Sequence, residues 1–382
     1  MTSASRPTAS PRTVTVLRGS AANPWDLGAW EQLAPDYAVQ ALVPDNNQYD
    51  VSGLETIRGR GIATLASKAH VKGGTLPHVV AGDHYLGLHQ ALAGTDIVHA
   101  AELSYWFTAQ AARLKDDLGF KLVTTVWETI PFGRALRNVR SRRYRSQVLS
   151  ATDLFVCATE RARDCMLLEG ADPARLVISP PGINTERFAA ARTPVPSADG
   201  VHTIYSIGRL VWEKGHQDLL RAVALLQRRG ITNWRVVIVG VGPEEKKLRG
   251  HAADLGIADR VEFKGWIPYD ELPGAYARAS CLVLASLGVR QWEEQFGMVL
   301  AEALAAHVPV LAASSGAIPE VVGSDGTLFA SGDWQELAQR LADGPLAGEP
   351  GARRVPSAER VKRYSTTAAA ARLKAHYDAL LG

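Results

Sequence analysis

The sequence predicts an α/β protein made of two doubly wound, Rossmann-like domains that face each other across a cleft. Short apolar runs alternate with helical segments from residue 13 to residue 179, and a second alternation of the same kind begins at residue 201. Between them, the run Thr193-Pro-Val-Pro-Ser-Ala-Asp-Gly200 has the composition of a linker. Strand–helix alternation is typical of parallel sheets, and ligands of such domains bind outside the carboxyl ends of the strands.

The first half contains six apolar or β-rich runs that predict strands, at 13–17, 37–43, 95–100, 121–127, 154–157 and 176–179. Helices are predicted at 25–33, 104–118, 134–150 and 160–169, with Ser104 as the N-cap of the second. Residues 40–75 give no firm assignment beyond the strand that ends at 43. In the second half, strands are predicted at 203–207, 235–239, 261–264, 281–285 and 308–312, and the stretch 358–381 predicts one final helix.

Composition and charge narrow the class of protein. The chain has 382 residues, 46% hydrophobic and 21% charged, which is ordinary for a globular protein of two or three domains. A net charge of +3 is too small to indicate nucleic-acid binding. The three cysteines fit a reducing compartment, and no apolar run reaches the length of a membrane span. We therefore expect a cytoplasmic protein.

Two glutamates frame the stretch Glu294-Gln-Phe-Gly-Met-Val-Leu-Ala-Glu302. The run 297–306 predicts a helix that begins at Gly297. At about 1.5 Å per residue, the backbones of the two glutamates lie roughly 10–12 Å apart along its axis. The unpaired N–H groups of the first turn lie between them and favour anions. This layout suits a ligand with a central diphosphate and hydroxyls at both ends, although an ordinary surface helix gives the same spacing.

A second candidate site follows the strand predicted at 203–207. The run Ser206-Ile-Gly-Arg-Leu-Val-Trp-Glu-Lys-Gly215 places Arg209 and Lys214 beside two glycines. Glycine lets the backbone approach a ligand closely, and two cations can neutralise a diphosphate. The presence of both sites, in this order, favours a nucleotide-diphosphate-sugar site over the surface-helix interpretation.

These motifs together resemble the retaining glycosyltransferases of the GT-B fold, specifically family 4 (glycosyltransferase group 1), most strongly over residues 154–334. In that family the Arg-x4-Lys pair grips the donor diphosphate, and the two glutamates hold the transferred sugar and the ribose. The resemblance implies catalytic roles for Arg209, Lys214 and Glu294. The donor-binding residues that it implies are Gly19, Gly208, Arg209, Lys214, Gly242, Gly265, Trp266, Glu294, Phe296, Gly297, Met298, Val299 and Glu302.

The resemblance also implies how the chain is divided. It implies an acceptor-binding domain at 13–188 and a nucleotide-sugar-binding domain at 189–361, while the Ser/Thr/Pro-rich composition of residues 1–12 predicts a disordered tail. A C-terminal helix at about 362–382 is expected to return to the first domain and complete it.

The first half departs from the family pattern. Many members have a Gly-Gly-rich loop after the first strand, whereas this loop has one glycine, Gly19. Trp127 and Glu128 stand where many members have a His. His99 and Glu102 are predicted to end a strand and point towards the cleft, and Trp25 and Trp127 are candidates for stacking on a sugar ring. The acceptor-side candidates are therefore Trp25, His99, Glu102, Trp127 and Glu128, although single His and Trp residues are more often structural.

The activity implied is retaining transfer of a hexosyl group from a UDP- or GDP-linked sugar to a hydroxyl of a glycan, glycolipid or small molecule. No cofactor is expected and no metal either, since the chain has no Asp-x-Asp motif and no zinc spacing. A nucleotide-sugar epimerase or a catalytically silent sugar-binding protein of the same fold is the alternative. The six arginines of the segment 134–145 predict a solvated helix face, with contact to the inner face of a membrane as the alternative.

Overall fold

Two separate sheets organise the computed structural model, which describes residues 11–33, 36–61, 84–133, 139–195 and 198–382. The first sheet is built from β1 Arg12–Leu17, β2 Tyr37–Pro44, β3 Glu55–Gly61, β4 Tyr85–Leu86, β5 Ile97–Ala101, β6 Lys121–Val126, β7 Leu154–Cys157 and β8 Leu176–Ile178. The second sheet is built from β9 His202–Ile207, β10 Trp234–Val239, β11 Val261–Lys264, β12 Cys281–Leu284, β13 Val310–Ala313 and β14 Thr327–Phe329.

The strand order confirms the doubly wound arrangement. The first sheet runs β4-β3-β2-β1-β5-β6-β7-β8, and the second runs β11-β10-β9-β12-β13-β14. All neighbouring strands are parallel except the β3–β4 pair. The order reverses between β1 and β5, where Val14 is opposite Ile97, and between β9 and β12, where Tyr205 is opposite Leu282. Loops leave in opposite directions at such reversals, so each sheet has a crevice at the carboxyl ends of those strands.

Helices cover both sheets. They span Pro24–Glu31, Leu88–Leu92, Trp106–Leu118, Val139–Ala151, Glu160–Leu168, Thr185–Ala189, His216–Arg228, Glu245–Asp254, Leu272–Arg278, Met298–Ala305, Ile318–Val322, Trp334–Asp343, Ala358–Arg363 and Thr366–Leu381. Two of them matter most below, the Glu160 helix (Glu160–Leu168) and the Met298 helix (Met298–Ala305). Among the described residues, none of the helices combines the length and the apolar character that crossing a membrane requires.

Most predicted strands lie within two residues of the observed ones, but several details differ. The strands β3, β4 and β14 were not predicted, because β3 is a largely polar run and β4 and β14 have only two and three residues. The predicted N-cap at Ser104 is wrong, since that helix starts at Trp106 and no side chain caps it. The predicted tail at 1–12 is too long, because Arg12 opens β1, and residues 1–10 lie outside the described part.

The predicted final helix is in fact two helices. The Ala358–Arg363 and Thr366–Leu381 helices are separated at Ser365, whose hydroxyl accepts a hydrogen bond from Ala368 N at 3.2 Å and begins the second one. At Ser365 the chain returns from the second half to the first, and it lies beside the segment around Ile183, where the chain leaves the first half. Ile183 N donates to Tyr364 O at 2.7 Å, and Thr366 N donates to Ile183 O at 2.9 Å.

The last helix packs against the first half of the chain. Its residues Ala369, Leu373 and Tyr377 are buried in the same core as Val14 and Trp30. Trp30 Nε1 donates to the Tyr377 hydroxyl at 2.9 Å. The strands of the two sheets lie at 12–178 and 202–329, and the domain limits at 188 and 361 stay a prediction.

Candidate active site

A cavity of about 510 Å³ lies between the first half of the molecule, built on the first sheet, and the second half, built on the second sheet. It is located at the carboxyl ends of the central strands. The first half contributes Gly19, Glu102, Trp127 and Glu128 to its wall, and the second half contributes Arg209. Residues that follow the carboxyl ends of β1, β5, β6 and β9 therefore meet at one place. This is the position that the two strand-order reversals predict for a ligand.

Arg209 lies in a loop that the surrounding backbone holds tightly. A Cβ on Gly242 would lie 2.3 Å from Leu210 O, so glycine is required there for the two loops to pack. His216 is buried between Ser206 Oγ, at 2.9 Å from Nδ1, and Arg209 O, at 3.2 Å from Nε2. Because a carbonyl only accepts, Nε2 carries the hydrogen and Nδ1 accepts from Ser206. Burial lowers the pKa of His216 to about 4, so the ring is neutral at pH 7.

The Arg209 side chain is exposed and makes no ion pair or hydrogen bond with the described residues. The other two arginines in the cavity wall differ from it. Arg18 donates to Leu17 O at 3.0 Å and His99 O at 2.9 Å, and Arg145 donates to Glu169 Oε2 at 2.5 Å. Among the described arginines of this wall, Arg209 is therefore the one that has no hydrogen bond or ion pair through its side chain.

Lys214 is held by the first motif glutamate. Its Nζ lies 2.7 Å from Glu294 Oε2 and 5.1 Å from the centre of the Trp292 ring. Ser286 Oγ donates to the same carboxylate oxygen at 2.7 Å. The two motifs that are 80 residues apart in sequence are therefore in direct contact. Glu294 does not line the cavity itself, but its neighbours Glu293 and Gln295 do.

Glu302, the second motif glutamate, is buried inside the Met298 helix, with only 3% of its surface exposed. The Tyr276 hydroxyl donates to Glu302 Oε2 at 2.8 Å. Burial raises the pKa of Glu302 to about 7, and the hydrogen bond from Tyr276 opposes the rise. Glu302 is outside the cavity wall, so its predicted contact with a ribose is not visible in the geometry and stays a prediction.

The start of the Met298 helix agrees with the expected anion-binding geometry. Gly297 has a left-handed φ of 82° and makes no side-chain cap, so the N–H groups of Met298 and Val299 have no partner within the helix. Phe296 is placed differently from the prediction. Its side chain is buried to 2% exposure between Trp127 and Tyr364, so it belongs to the core rather than to a donor surface.

Three predicted donor-binding residues near β10 and β11 lie away from the cavity wall. Gly208 N donates to Val239 O at 3.0 Å, and Gly265 O accepts from Gly240 N at 2.9 Å, so both connect neighbouring loops. Trp266 is 60% exposed beside them. An exposed indole at the end of a strand offers a face for stacking, and its contact with a nucleobase stays a prediction.

Glu102 occupies a conformation that is rare for a residue with a side chain. Its φ is 58°, in the left-handed region. One carboxylate oxygen accepts from Trp127 N at 2.8 Å, while Glu128 accepts from Thr129 N and Ile130 N at 3.0 Å each. Burial raises the pKa of Glu102 to about 8, and the nearby Glu128 adds to the rise. The pair places two carboxyl groups on the first-half wall of the cavity.

Two acceptor-side candidates do not reach the cavity. His99 lies within β5 rather than at its end, and both ring nitrogens are engaged, with the Tyr377 hydroxyl at 2.5 Å and Thr125 Oγ1 at 2.6 Å. Its predicted orientation towards the cleft is therefore wrong. Trp25 stacks on Tyr269 of the second half, with ring centres 5.0 Å apart, and contacts Tyr49 on its other side.

Several wall residues were not predicted from the sequence. Arg18 directly follows β1 and precedes the loop glycine Gly19, so its position was a usable signal. Arg145 was assigned to a solvated face, but its side chain is 14% exposed and bonded to Glu169. Arg134 and Arg137 lie outside the described residues. Within the described ranges, no group of three or more His, Cys, Asp or Glu residues could hold a metal ion.

Comparison with known protein families gives a match for each half of the chain. Residues 189–344 match the family described as "Glycosyl transferases group 1", and residues 44–187 match "Glycosyltransferase Family 4". The two matches meet near residue 188.

Curated relatives match at moderate identity. A GDP-mannose-dependent alpha-(1-6)-phosphatidylinositol monomannoside mannosyltransferase of Mycobacterium tuberculosis is 32% identical over 204 residues, 51% of this chain and 51% of that protein. A D-inositol 3-phosphate glycosyltransferase of Nocardia farcinica is 32% identical over 277 residues, 66% of this chain and 59% of that protein. The chain thus matches between half and two thirds of the length of these relatives.

Solved structures match over nearly the whole chain. HepE of Anabaena in complex with UDP has a TM-score of 0.73 and 16% identity, covering 96% of this chain and all of that one. A glycosyltransferase from Rickettsia africae has a TM-score of 0.72 and 16% identity, covering 98% and 99%. At such identity these likenesses show the fold, which is the GT-B arrangement of two parallel α/β sheets. Together with the family matches, they show that the chain belongs to the family 4 glycosyltransferases, also described as group 1.

Proposed function

We propose that the protein is a retaining glycosyltransferase that moves a hexosyl group from a nucleotide-diphosphate sugar to an acceptor hydroxyl. The observation that carries this proposal is the guanidinium of Arg209 in the cavity wall, which has no partner among the described residues and lies in a loop whose Lys214 contacts Glu294. The paired N–H donors of a guanidinium match the oxygens of a phosphate group, so a diphosphate is the ligand group that suits this position best.

The proposed mechanism depends on stabilising the leaving group. When the nucleoside diphosphate departs, negative charge develops on its phosphate oxygens. Arg209, in the cavity wall, supplies the opposite charge, and Lys214 and the N–H groups at the start of the Met298 helix add to it once the donor is bound. The loss of one such group typically costs about 10²–10³ in rate. With this charge supplied by the protein, transfer requires no divalent cation.

Retention follows from a route on one face of the sugar. The bond between the anomeric carbon and the phosphate oxygen breaks, and its electron pair stays on the nucleoside diphosphate. The acceptor oxygen bonds to the anomeric carbon from the same face, and its proton passes to the departing phosphate oxygen. No protein nucleophile is needed, and closure of the cleft excludes water that would hydrolyse the donor.

The names of the relatives suggest classes of substrate. The mycobacterial relative is named for GDP-mannose and a phosphatidylinositol mannoside, and HepE was solved with UDP. We propose a UDP- or GDP-linked hexose as donor and a glycan, a glycolipid or a small polyol as acceptor. A lipid-linked acceptor would bring the protein to the surface of a membrane.

The test is a screen for nucleoside diphosphate release from UDP- and GDP-linked hexoses, with and without a pool of sugar and inositol acceptors. We expect release to depend on the acceptor, and NMR of the product to show the donor's anomeric configuration. Arg209→Ala should reduce turnover at least 100-fold, while Arg228→Ala, at an exposed arginine outside the cavity, should have no effect.

Two outcomes would refute the proposal. Conversion of the sugar nucleotide to its epimer without any acceptor would indicate an epimerase. Normal turnover by folded Arg209→Ala would remove the main support for a diphosphate site.

A further inference from the structure

We propose that Arg161, in the first half of the chain, is a positioning residue for transfer: by holding Glu293 it orients the loop that carries Glu294 while the two halves are engaged. The inference rests on the proposed function of the cavity. It goes beyond that function because Arg161 belongs to neither donor motif and lies on the opposite half of the molecule.

The contact itself is bidentate. Arg161 Nε lies 2.5 Å from Glu293 Oε1, and Nη2 lies 2.9 Å from Oε2. The Glu293 side chain is only 12% exposed, whereas that of Arg161 is 51% exposed. Two parallel hydrogen bonds fix the orientation of a carboxylate as well as its distance. Glu293 is therefore held in one orientation by a residue of the first half.

Neighbouring carboxylates of this loop are held by opposite halves of the molecule. Glu293 is bound by Arg161, and the next residue, Glu294, is bound by Lys214 and Ser286 of the second half. A shift of the first half relative to the second would pull on Glu293 and hence on Glu294, because one peptide bond joins them.

The loop has little room to adjust to such a shift. Ala317 N donates to Glu294 O at 2.8 Å. Gly316 has a left-handed φ of 54°, and a Cβ there would lie 2.1 Å from Glu294 O. The backbone of Glu294 thus rests directly on the residues that lead into the short Ile318–Val322 helix.

A second contact also joins the first half of the molecule to the second. Glu320, in that short helix, accepts from Glu160 N at 2.8 Å and 3.0 Å through its two oxygens. Glu160 and Arg161 are adjacent at the start of the Glu160 helix. Two carboxylates of the second half, Glu293 and Glu320, therefore bind one turn of the first half, and Glu294 directly follows the first of them in the sequence. Through this arrangement, the contact between the two halves controls the position of Glu294 in the donor site.

A simple surface ion pair would behave differently from a positioning contact. Exposed pairs contribute little to stability, so removal of Arg161 should leave the melting temperature and nucleotide binding almost unchanged. A positioning role predicts instead a lower kcat and more hydrolysis of the donor by water, because Glu294 and the closed cleft act in the transfer step.

The experiment compares R161A with R163A. Arg163 lies on the same helix, and among the described residues its ion pairs are with Glu160 and Asp164 of that helix. Transfer, donor hydrolysis and calorimetric binding of the nucleoside diphosphate are measured for both variants with the best donor of the screen. For R161A we expect about tenfold lower kcat, a larger share of hydrolysis and a Kd within twofold of wild type. R163A should match wild type.

Each contrary result has a clear meaning. Equal kcat for R161A and wild type would overturn this inference and leave the proposed function intact. A parallel loss in R163A, or an R161A variant that loses nucleotide binding or folds poorly, would show a structural role and also overturn it. Absence of transfer by the wild-type protein would refute the proposed function, and this inference with it.

Discussion

Replacement of Glu302 by Gln should change how the stability of the protein depends on pH. Glu302 is 3% exposed, and its Oε2 accepts a hydrogen bond from the Tyr276 hydroxyl. Gln has the same shape and keeps an oxygen that accepts this bond, but it has no charge. The variant therefore removes the titration of the group with little change in packing.

The size of the effect follows from the pKa of Glu302, which burial raises from 4.5 to about 7. A folded-state pKa above the unfolded value means that the folded protein binds the proton more tightly. The resulting stability is fully present below about pH 4.5 and is lost as the pH rises through 7. A difference of about 2.5 units at 1.36 kcal/mol per unit gives about 3 kcal/mol.

Chemical denaturation of the ligand-free protein at pH 4, 6 and 8 measures this quantity. We expect the free energy of unfolding of E302Q, relative to wild type, to increase by about 3 kcal/mol between pH 4 and pH 8. E262Q, which changes an exposed glutamate of β11, is the control and should show no such change.

The result that would refute the reasoning is a difference between E302Q and wild type that is the same at all three pH values. It would mean that the pKa of Glu302 in the folded protein is close to its value in the unfolded chain, with the cost of burial offset by interactions of the ionised carboxylate.

Three further predictions concern the donor site. Glu294→Gln should lower turnover at least tenfold and reduce the selectivity between donor sugars. The Kd of the nucleoside diphosphate should change less than threefold, because Arg209 and the helix N–H groups remain. Equal weakening of nucleoside diphosphate and intact donor in calorimetry would contradict this. Activity should survive excess EDTA, and loss that Mg²⁺ or Mn²⁺ restores would show that a metal takes part. His216→Ala should weaken nucleoside diphosphate binding about tenfold, because it removes the hydrogen bonds to Ser206 and Arg209 O; unchanged binding would mean that the loop holds its shape without the ring.

The sequence alone determined the local structure and the composition of the donor motifs. The run of β-branched and apolar residues in β9 and β10 defines those strands, because such residues favour extended backbone. The helix formers between Met298 and Ala305 define the helix that carries Glu302. In a parallel sheet, residues just after a strand share one edge, so Arg209 could be assigned to the ligand side before any contact was known.

Only the tertiary structure decided which partner each of these side chains has. Lys214 meets Glu294, Tyr276 meets Glu302, and Arg161 meets a glutamate 132 residues away. Such contacts depend on how sheets and helices pack against each other, and no local pattern encodes them.

Packing also decided which polar and aromatic candidates are available to a ligand. His99 and Phe296 are engaged in the interior, whereas Arg209 keeps its donors free within the described chain. Their residue types are equally compatible with a site or a core. What separates them is the depth at which the neighbouring elements bury each side chain, and that depth is set by contacts between segments that are far apart in the sequence.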